Sequence, residues 1–432
     1  MARRRQGMES QVTSTVHCDL EGKITFLSDG AEEIFQYKNE ELLGKERVSV
    51  FSPGMVVLEH VPKWLKKSVS DGHFETDTVF VRKDGSQFAA HIRITPIIKE
   101  GVHDGYIGLT TPLPQRPVSD VMPRISLLTK TLSWAFITRA PFLTVTFVAV
   151  LLGALLAPWL VEGTNLDIPL LLLTLLGASL AHLGVNTAND YFDWKSNVDN
   201  LNTDYVIPFS GGSRMIQLGV ISPQGVLRTS LLLFGLAAVV GAYLAATVGI
   251  WPQVAVLAVA GGAIGFVYTA PPIRLAARGL GETGITLAFG PLLVAGTTLV
   301  QTGTIEPLAL LAGIPTGLLT VLIVWVNQFP DITGDAAGGK RTLVVRLGLE
   351  RSRWGYPLLW ALSYSSVVGL VLVEALPVQA LAGLLTVPWA IYITRHLFRH
   401  YRTRAIKNAM AGTIYLHLVT GLLMVIGVWL VI

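Results

Sequence analysis

Residues 168–200, IPLLLLTLLGASLAHLGVNTANDYFDWKSNVDN, run without a formal charge from Ile168 to Asn189 and then gather Asp190, Asp193, Lys195 and Asp199. An uninterrupted apolar stretch of about 20 residues is what an α-helix needs to cross a bilayer. The segment therefore reads as a membrane span that ends in a carboxylate cluster. Asn186, Asn189, Asp190 and Asp193 recur at intervals of three or four, so a helix brings them onto one face.

Outward from this stretch, apolar runs repeat at 141–161, 168–189, 224–247, 252–269, 282–301, 307–329, 354–373, 377–394 and 409–432. Hydrophobic residues make up 51% of the chain and charged residues 14%, against about 25% charge in a soluble domain. The sequence predicts a multi-span all-α membrane bundle of about nine transmembrane helices over residues 140–432. The net charge of +4 does not point to nucleic acid, because the basic residues cluster at span ends, where a membrane surface explains them.

A second cluster ends the sixth run, in WVNQFPDITGDAAGGKRTL from Trp325 to Leu343. Asn327, Asp331 and Asp335 recur at intervals of four, and Lys340 and Arg341 follow. Carboxylates at membrane depth are costly unless neutralised, so they are functional candidates by default. Magnesium prefers oxygen ligands and commonly bridges a few carboxylates to phosphate oxygens. Two such rows beside cationic side chains would hold a diphosphate through Mg2+ and charge-assisted hydrogen bonds.

At these residues the chain resembles the UbiA superfamily of prenyltransferases, over roughly residues 130–432. The resemblance implies that Asn189, Asp190, Asp193 and Asp199 form a first metal motif and Asp331 and Asp335 a second, with Asp190, Asp193, Asp331 and Asp335 carrying the catalysis. It further implies that Asn186, Asn189, Asn327, Arg214, Lys340 and Arg341 bind substrate, together with Lys195 and Arg274, for which headgroup anchoring is the alternative. Tyr268 resembles a pocket residue of the family or serves as an interfacial anchor. Asp199 stands six residues after Asp193, with Asn197 between them, a longer spacing than many ubiquinone-pathway members have. That spacing, with PFSGGSRMIQLGVISP and YTAPPIRLAARGLGE, resembles the menaquinone-pathway branch. The expected partners are a prenyl diphosphate, an aromatic acceptor such as 1,4-dihydroxy-2-naphthoate, 4-hydroxybenzoate or another phenol, and the bilayer. Gly261, Gly262 and Gly265 would open a tunnel for the isoprenoid tail or serve close helix packing. His182 and His417 are expected in buried, hydrogen-bonded core roles.

Residues 1–118 differ in pattern: short alternating strands flank acidic helical segments. DLEGKITFLS predicts a hairpin turning at Glu21-Gly22, GAEEIFQYKNEELLGK two helices broken near Tyr37, and TDTVFVRKDGSQFAAHIRITPI two strands joined at Asp84-Gly85; HDGYIGLT adds a last strand. This order resembles a PAS domain, an α/β sensor module; the resemblance implies either a small ligand or cofactor, which the sequence leaves unknown, or only dimer contacts that would make a homodimer. Cys18 lies in the first strand, which does not support flavin photochemistry. His17, His60, His73, His91 and His103 include possible haem ligands, although a lone histidine in such a module is more often a surface or core residue. A single cysteine excludes an internal disulfide and a cysteine-cluster metal site. MARRRQGMESQ lacks an apolar core and reads as a solvated basic tail. Residues 119–139 read as a linker and a surface helix, Ile125 to Arg139.

Lysine and arginine are missing from the odd-numbered connections, which contain Glu162, Asp167, Trp251, Glu306 and Glu374. The positive-inside rule then puts the PAS-like domain and both aspartate motifs in the cytoplasm and the C-terminus outside, in a multi-pass protein of the cell's inner membrane. A PAS-gated transporter is the reading from another class, but its site would be expected near the bilayer midplane rather than at span ends.

Overall fold

The alternating stretches of the N-terminal quarter pair into a five-stranded antiparallel sheet in a computed structural model that describes residues 12–432. The expected basic tail lies outside the described residues. The strands are β1 (Ser14–Asp19), β2 (Ile24–Leu27), β3 (Phe74–Val81), β4 (Gln87–Lys99) and β5 (Val102–Pro112), in the order β2-β1-β5-β4-β3. Helices α1 (Asp29–Phe35), α2 (Asn39–Leu42), α3 (Gly54–Glu59) and α4 (Val61–Asp71) fill the long connection between β2 and β3. Helix α1 starts where Ser28 accepts a hydrogen bond from the Ala31 N–H, satisfying one of the donors a helix start leaves open. Phe35 stacks on Phe51 with ring centroids 4.1 Å apart, and Phe80 and Phe88 complete the aromatic core.

That core borders an apolar cavity of about 80 Å³ lined by residues including Val16, Cys18, Trp64 and Ile92. None of His17, His60, His73, His91 and His103 lines it. Burial pushes the Cys18 thiol up to about 12, which keeps it protonated and unreactive.

The linker expected from residue 119 is partly packed: α5 (Val118–Val121) buries Val121 against Val79 and Ala89. Farther on, Glu59 Oε2 accepts a 2.8 Å hydrogen bond from the Ser126 N–H, which holds that carboxyl down to about 2. The expected surface helix is α6 (Leu127–Ile137), with Leu127, Leu128 and Trp134 exposed. The chain divides into two compact units, one running to Trp134 and including Met215–Ser222, the other comprising Ala135–Arg214 and Pro223–Ile432.

The second unit is helical throughout. Its helices are α7 (Thr144–Leu160), α8 (Ile168–Lys195), α9 (Val198–Leu201), α10 (Pro223–Val248), α11 (Trp251–Val267), α12 (Gly281–Leu287), α13 (Leu293–Thr302), α14 (Pro307–Ala312), α15 (Ile314–Ala337), α16 (Leu343–Leu372), α17 (Val387–His400) and α18 (Lys407–Trp429). Seven helical segments among the described residues are long and apolar enough to cross a membrane. The expected fourth and eighth runs are helical but shorter. Helix α11 has 17 residues, and the run after Pro377 begins as a 3₁₀ helix, Val378–Thr386, before the 14-residue α17. Pro388, lacking an N–H, suits a helix start rather than a continuing ladder.

Small residues set the crossing that carries the second aspartate motif. A Cβ on Gly290 would stand 2.9 Å from the Gly317 Cα, so only glycine lets the segment after α12 approach α15 this closely. Several polar groups inside the bundle are paired: Tyr356 with Thr413 at 2.7 Å, Tyr364 with Thr386 at 2.7 Å and His417 with Thr320 at 3.3 Å. In a bilayer no water is available to satisfy them otherwise.

Candidate active site

Helix α8 delivers its asparagine and aspartate row and helix α15 its aspartates to one cavity of about 640 Å³, within the range of ligand pockets. Its polar lining includes Asn186, Asn189, Asp193, Asp199, Asn327, Asp331, Asp335, Lys340 and Tyr268. Much of the remainder is apolar, with Gly261, Gly262 and Gly265 of α11 along one wall. Beside Gly261 and Gly262 a Cβ would meet nothing within 4 Å, so these glycines border open space.

Lys340 joins the two motifs. Its Nζ donates to Asp193 Oδ2 at 2.7 Å and lies 3.9 Å from Asp335 Oδ1. Asp193 Oδ2 also accepts from Asn189 Nδ2 at 3.2 Å. Burial alone would strip the Lys340 proton, but the Asp193 and Asp335 carboxylates outweigh it and hold the ammonium well above the usual lysine range.

A loop that the aspartate spacing did not reveal ties the rest together. Asp331 Oδ1 accepts from Asn202 Nδ2 at 2.6 Å and its Oδ2 from the Gly211 N–H at 3.0 Å. Asp190, just behind the cavity wall, accepts from the Ser213 N–H at 3.2 Å. Gly212, at φ 75°, sits where a Cβ would lie 3.0 Å from Asp199 Oδ2 and 3.2 Å from Asp190 Oδ1. Glycine is the residue that adopts this left-handed conformation without penalty, and the Gly211-Gly212 pair was the available sequence signal. Burial, then the neighbouring Asp193, raises the Asp199 carboxyl well above the usual range.

Four expected substrate contacts lie outside the lining. Lys195 is two positions beyond Asp193, off its helical face, and its Nζ reaches the Tyr191 ring at 5.9 Å instead. Arg341 is exposed, beside an inward Lys340. Arg274 stands at φ 47° ahead of a 3₁₀ turn, Leu275–Arg278. Arg214 is buried, but its guanidinium is taken by the Asp199 and Asn202 carbonyls and stacks 3.7 Å from the Tyr205 ring centroid. It braces the loop. His182, expected in the core, is buried yet lines the cavity, with Nδ1 2.7 Å from Thr146 Oγ1.

Among the described residues no three His, Cys, Asp or Glu side chains stand close enough to share one ion, so the six expected ligands do not form a closed cage. Magnesium needs none, since it is usually held by one or two carboxylates plus substrate phosphates. The all-oxygen donor set suits that mode, and Asp190 Oδ1 is buried without a hydrogen-bond partner.

Residues 146–428 match the UbiA prenyltransferase family. The chain belongs to this family. Its N-terminal residues 12–110 match the PAS domain model. The UbiA part is similar to 1,4-dihydroxy-2-naphthoate octaprenyltransferase of Escherichia coli (strain K12), 30% identical across 70% of this chain and 97% of that one. The enzyme of the same name from Bacillus subtilis (strain 168) is 28% identical across 67% of this chain and 90% of its own. A solved UbiA homologue from Archaeoglobus fulgidus, bound to DMAPP and Mg2+, shares 16% identity at a TM-score of 0.48, covering 68% and 99% of the two chains.

Proposed function

We propose that this UbiA protein transfers a prenyl group from a prenyl diphosphate to 1,4-dihydroxy-2-naphthoate or a closely similar hydroxylated aromatic acid. The observation that carries this reading is the convergence of both aspartate motifs on one largely apolar cavity, in a chain whose relatives are named for that transfer. Asn189, Asp190, Asp193, Asp199, Asp331 and Asp335 would hold Mg2+. When bound, the metal would neutralise the diphosphate and stabilise it as a leaving group.

The chain's own residues supply the rest. Lys340 keeps a positive charge where the two motifs meet and offers its ammonium to phosphate oxygens. Asn202 and the Gly211 N–H orient Asp331. The apolar wall around Gly261 and Gly262 excludes water from the allylic cation once the C–O bond to diphosphate breaks, leaving the acceptor ring to capture it. Purified protein given Mg2+, a prenyl diphosphate and this acceptor should release diphosphate and form prenylated product. Both should stop with excess chelator and return with added Mg2+. Full activity in chelator, or diphosphate release unaffected by any acceptor, would contradict the reading.

The orientation follows the basic residues, with both aspartate motifs and the PAS domain in the cytoplasm and the C-terminus outside the inner membrane. A cysteine introduced at position 164 should label from outside intact cells and one at position 338 only after permeabilisation; the opposite pattern would invert the topology. A second copy would pair through the PAS domain on the face of its sheet where Phe26 and Leu109 are exposed.

A further inference from the structure

Helix α3 of the PAS domain holds a segment that lies far from it in sequence. The compact unit that contains the domain also includes Met215–Ser222. This segment is a closed turn: the Val220 N–H donates to the Met215 carbonyl at 3.0 Å and the Gly219 N–H to the Ile216 carbonyl at 2.9 Å, with Met215 buried. It rests on the first residue of α3. A Cβ on Gly54 would collide with the Leu218 carbonyl oxygen and stand 2.7 Å from Val220 Cγ2, so the missing side chain at 54 is what lets the two backbones meet. At its other end α3 grips the chain leading to α6, where Glu59 accepts from the Ser126 N–H at 2.8 Å and His60 Nε2 lies 3.0 Å from the Arg124 carbonyl oxygen.

Met215 follows directly on the loop that holds the aspartates. In that loop the Gly211 N–H donates to Asp331, the Ser213 N–H to Asp190, and the Arg214 guanidinium to the Asp199 and Asn202 carbonyls. With Arg214 tied in this way, the chain has little slack between the turn and those donors, and a displacement of the turn passes to them. Helix α3 is itself flanked by walls of the domain's apolar cavity: Ser49, Phe51 and Ser52 come just before it, and Val61, Trp64 and Leu65 just after. Close-packed elements transmit strain rather than absorb it, so a change in how that cavity is filled moves α3.

Building on the proposed function for what the aspartates do, we propose that α3 regulates prenyl transfer by carrying the Met215–Ser222 turn. A shift of α3 changes how firmly Gly211 and Ser213 hold Asp331 and Asp190, and with them the affinity for Mg2+. Small displacements at one site are amplified in this manner when they reposition a packed element.

Hydrogen exchange at single-amide resolution would compare full-length wild type with Gly54→Val, whose side chain presses on the turn. The Gly219 and Val220 amides should exchange about 10- to 100-fold faster, the range that overpacking one contact produces in local opening. Those of Gly211 and Ser213 should follow by about 10-fold, while the amides of β4 and β5 stay as in wild type. The Mg2+ concentration for half-maximal turnover should rise by about the same 10-fold. Faster exchange at Gly219 and Val220 with wild-type exchange at Gly211 and Ser213 would overturn the coupling, and unaltered exchange throughout would overturn the hold of α3 on the turn. If Gly54→Val unfolds the domain, seen as fast exchange in β4 and β5, Val220→Ala takes its place. It removes a contact with α3 without adding bulk, and it must loosen both pairs of amides, by a smaller factor, or the proposal falls. Exchange is read with no substrate present, so a protein that loosens as expected but prenylates nothing keeps the coupling and loses only the prenyl-transfer reading.

Discussion

Asp331→Asn should lower kcat by about 10³-fold, the scale seen when one preorganised charge-stabilising group is removed from an active site, while the protein remains folded. Asparagine keeps one oxygen to accept from either Asn202 Nδ2 or the Gly211 N–H, whose bonds to Asp331 measure 2.6 and 3.0 Å. It removes the negative charge a metal-bound diphosphate requires. Asp331→Ala should lose activity as fully but also stability, because both donors would be stranded at a cost of about 1–3 kcal/mol each. Steady-state turnover at saturating Mg2+, set beside thermal unfolding of the same preparations, separates the two effects. An Asp331→Asn protein that unfolds like wild type and turns over at more than a tenth of its rate would remove the second aspartate motif from the mechanism.

What the sequence disclosed follows from how strongly each feature is written in one dimension. Apolar runs and period-three-to-four aspartates are local patterns, so the helices, their order and the two motifs were all legible before any coordinates. The short strands and glycine turns of the PAS domain were legible for the same reason, down to the turns at Glu21-Gly22 and Asp84-Gly85. The site's loop was not. Asn202, Gly211 and Ser213 meet Asp331 and Asp190 across 129, 120 and 23 positions, and nothing local foretells those partners. Charge also proved a poor guide to function: Lys195, Arg214, Arg274 and Arg341 all lie outside the cavity lining, Lys195 by helical phase and Arg214 because backbone carbonyls hold its guanidinium.

The second large effect concerns Lys340, whose position allows two roles that a single substitution confounds. It neutralises Asp193 and Asp335 at 2.7 and 3.9 Å, and it presents an ammonium where a diphosphate would bind. Lys340→Met should raise KM for the prenyl diphosphate about 100-fold and also destabilise the protein, because removing one partner of a buried pair costs about 3–5 kcal/mol. Its folded pKa is raised, so the stability it contributes is complete below the ordinary lysine value of about 10.4 and is lost only as pH climbs through the higher folded value. Neutralisation of Lys340 should therefore leave no inflection in activity between pH 7 and 9. The double variant Lys340→Met with Asp193→Asn removes both charges of the closer pair and should recover most of the lost thermal stability. Because Asp193 is also proposed to hold Mg2+, the double variant is set against Asp193→Asn alone: if Lys340 serves the fold alone, the two should share one diphosphate KM. If it binds the leaving group, KM should stand well above that of Asp193→Asn in a protein that unfolds near the wild-type temperature, and that separation of binding from stability is the outcome expected for a lysine placed where the two aspartate motifs meet.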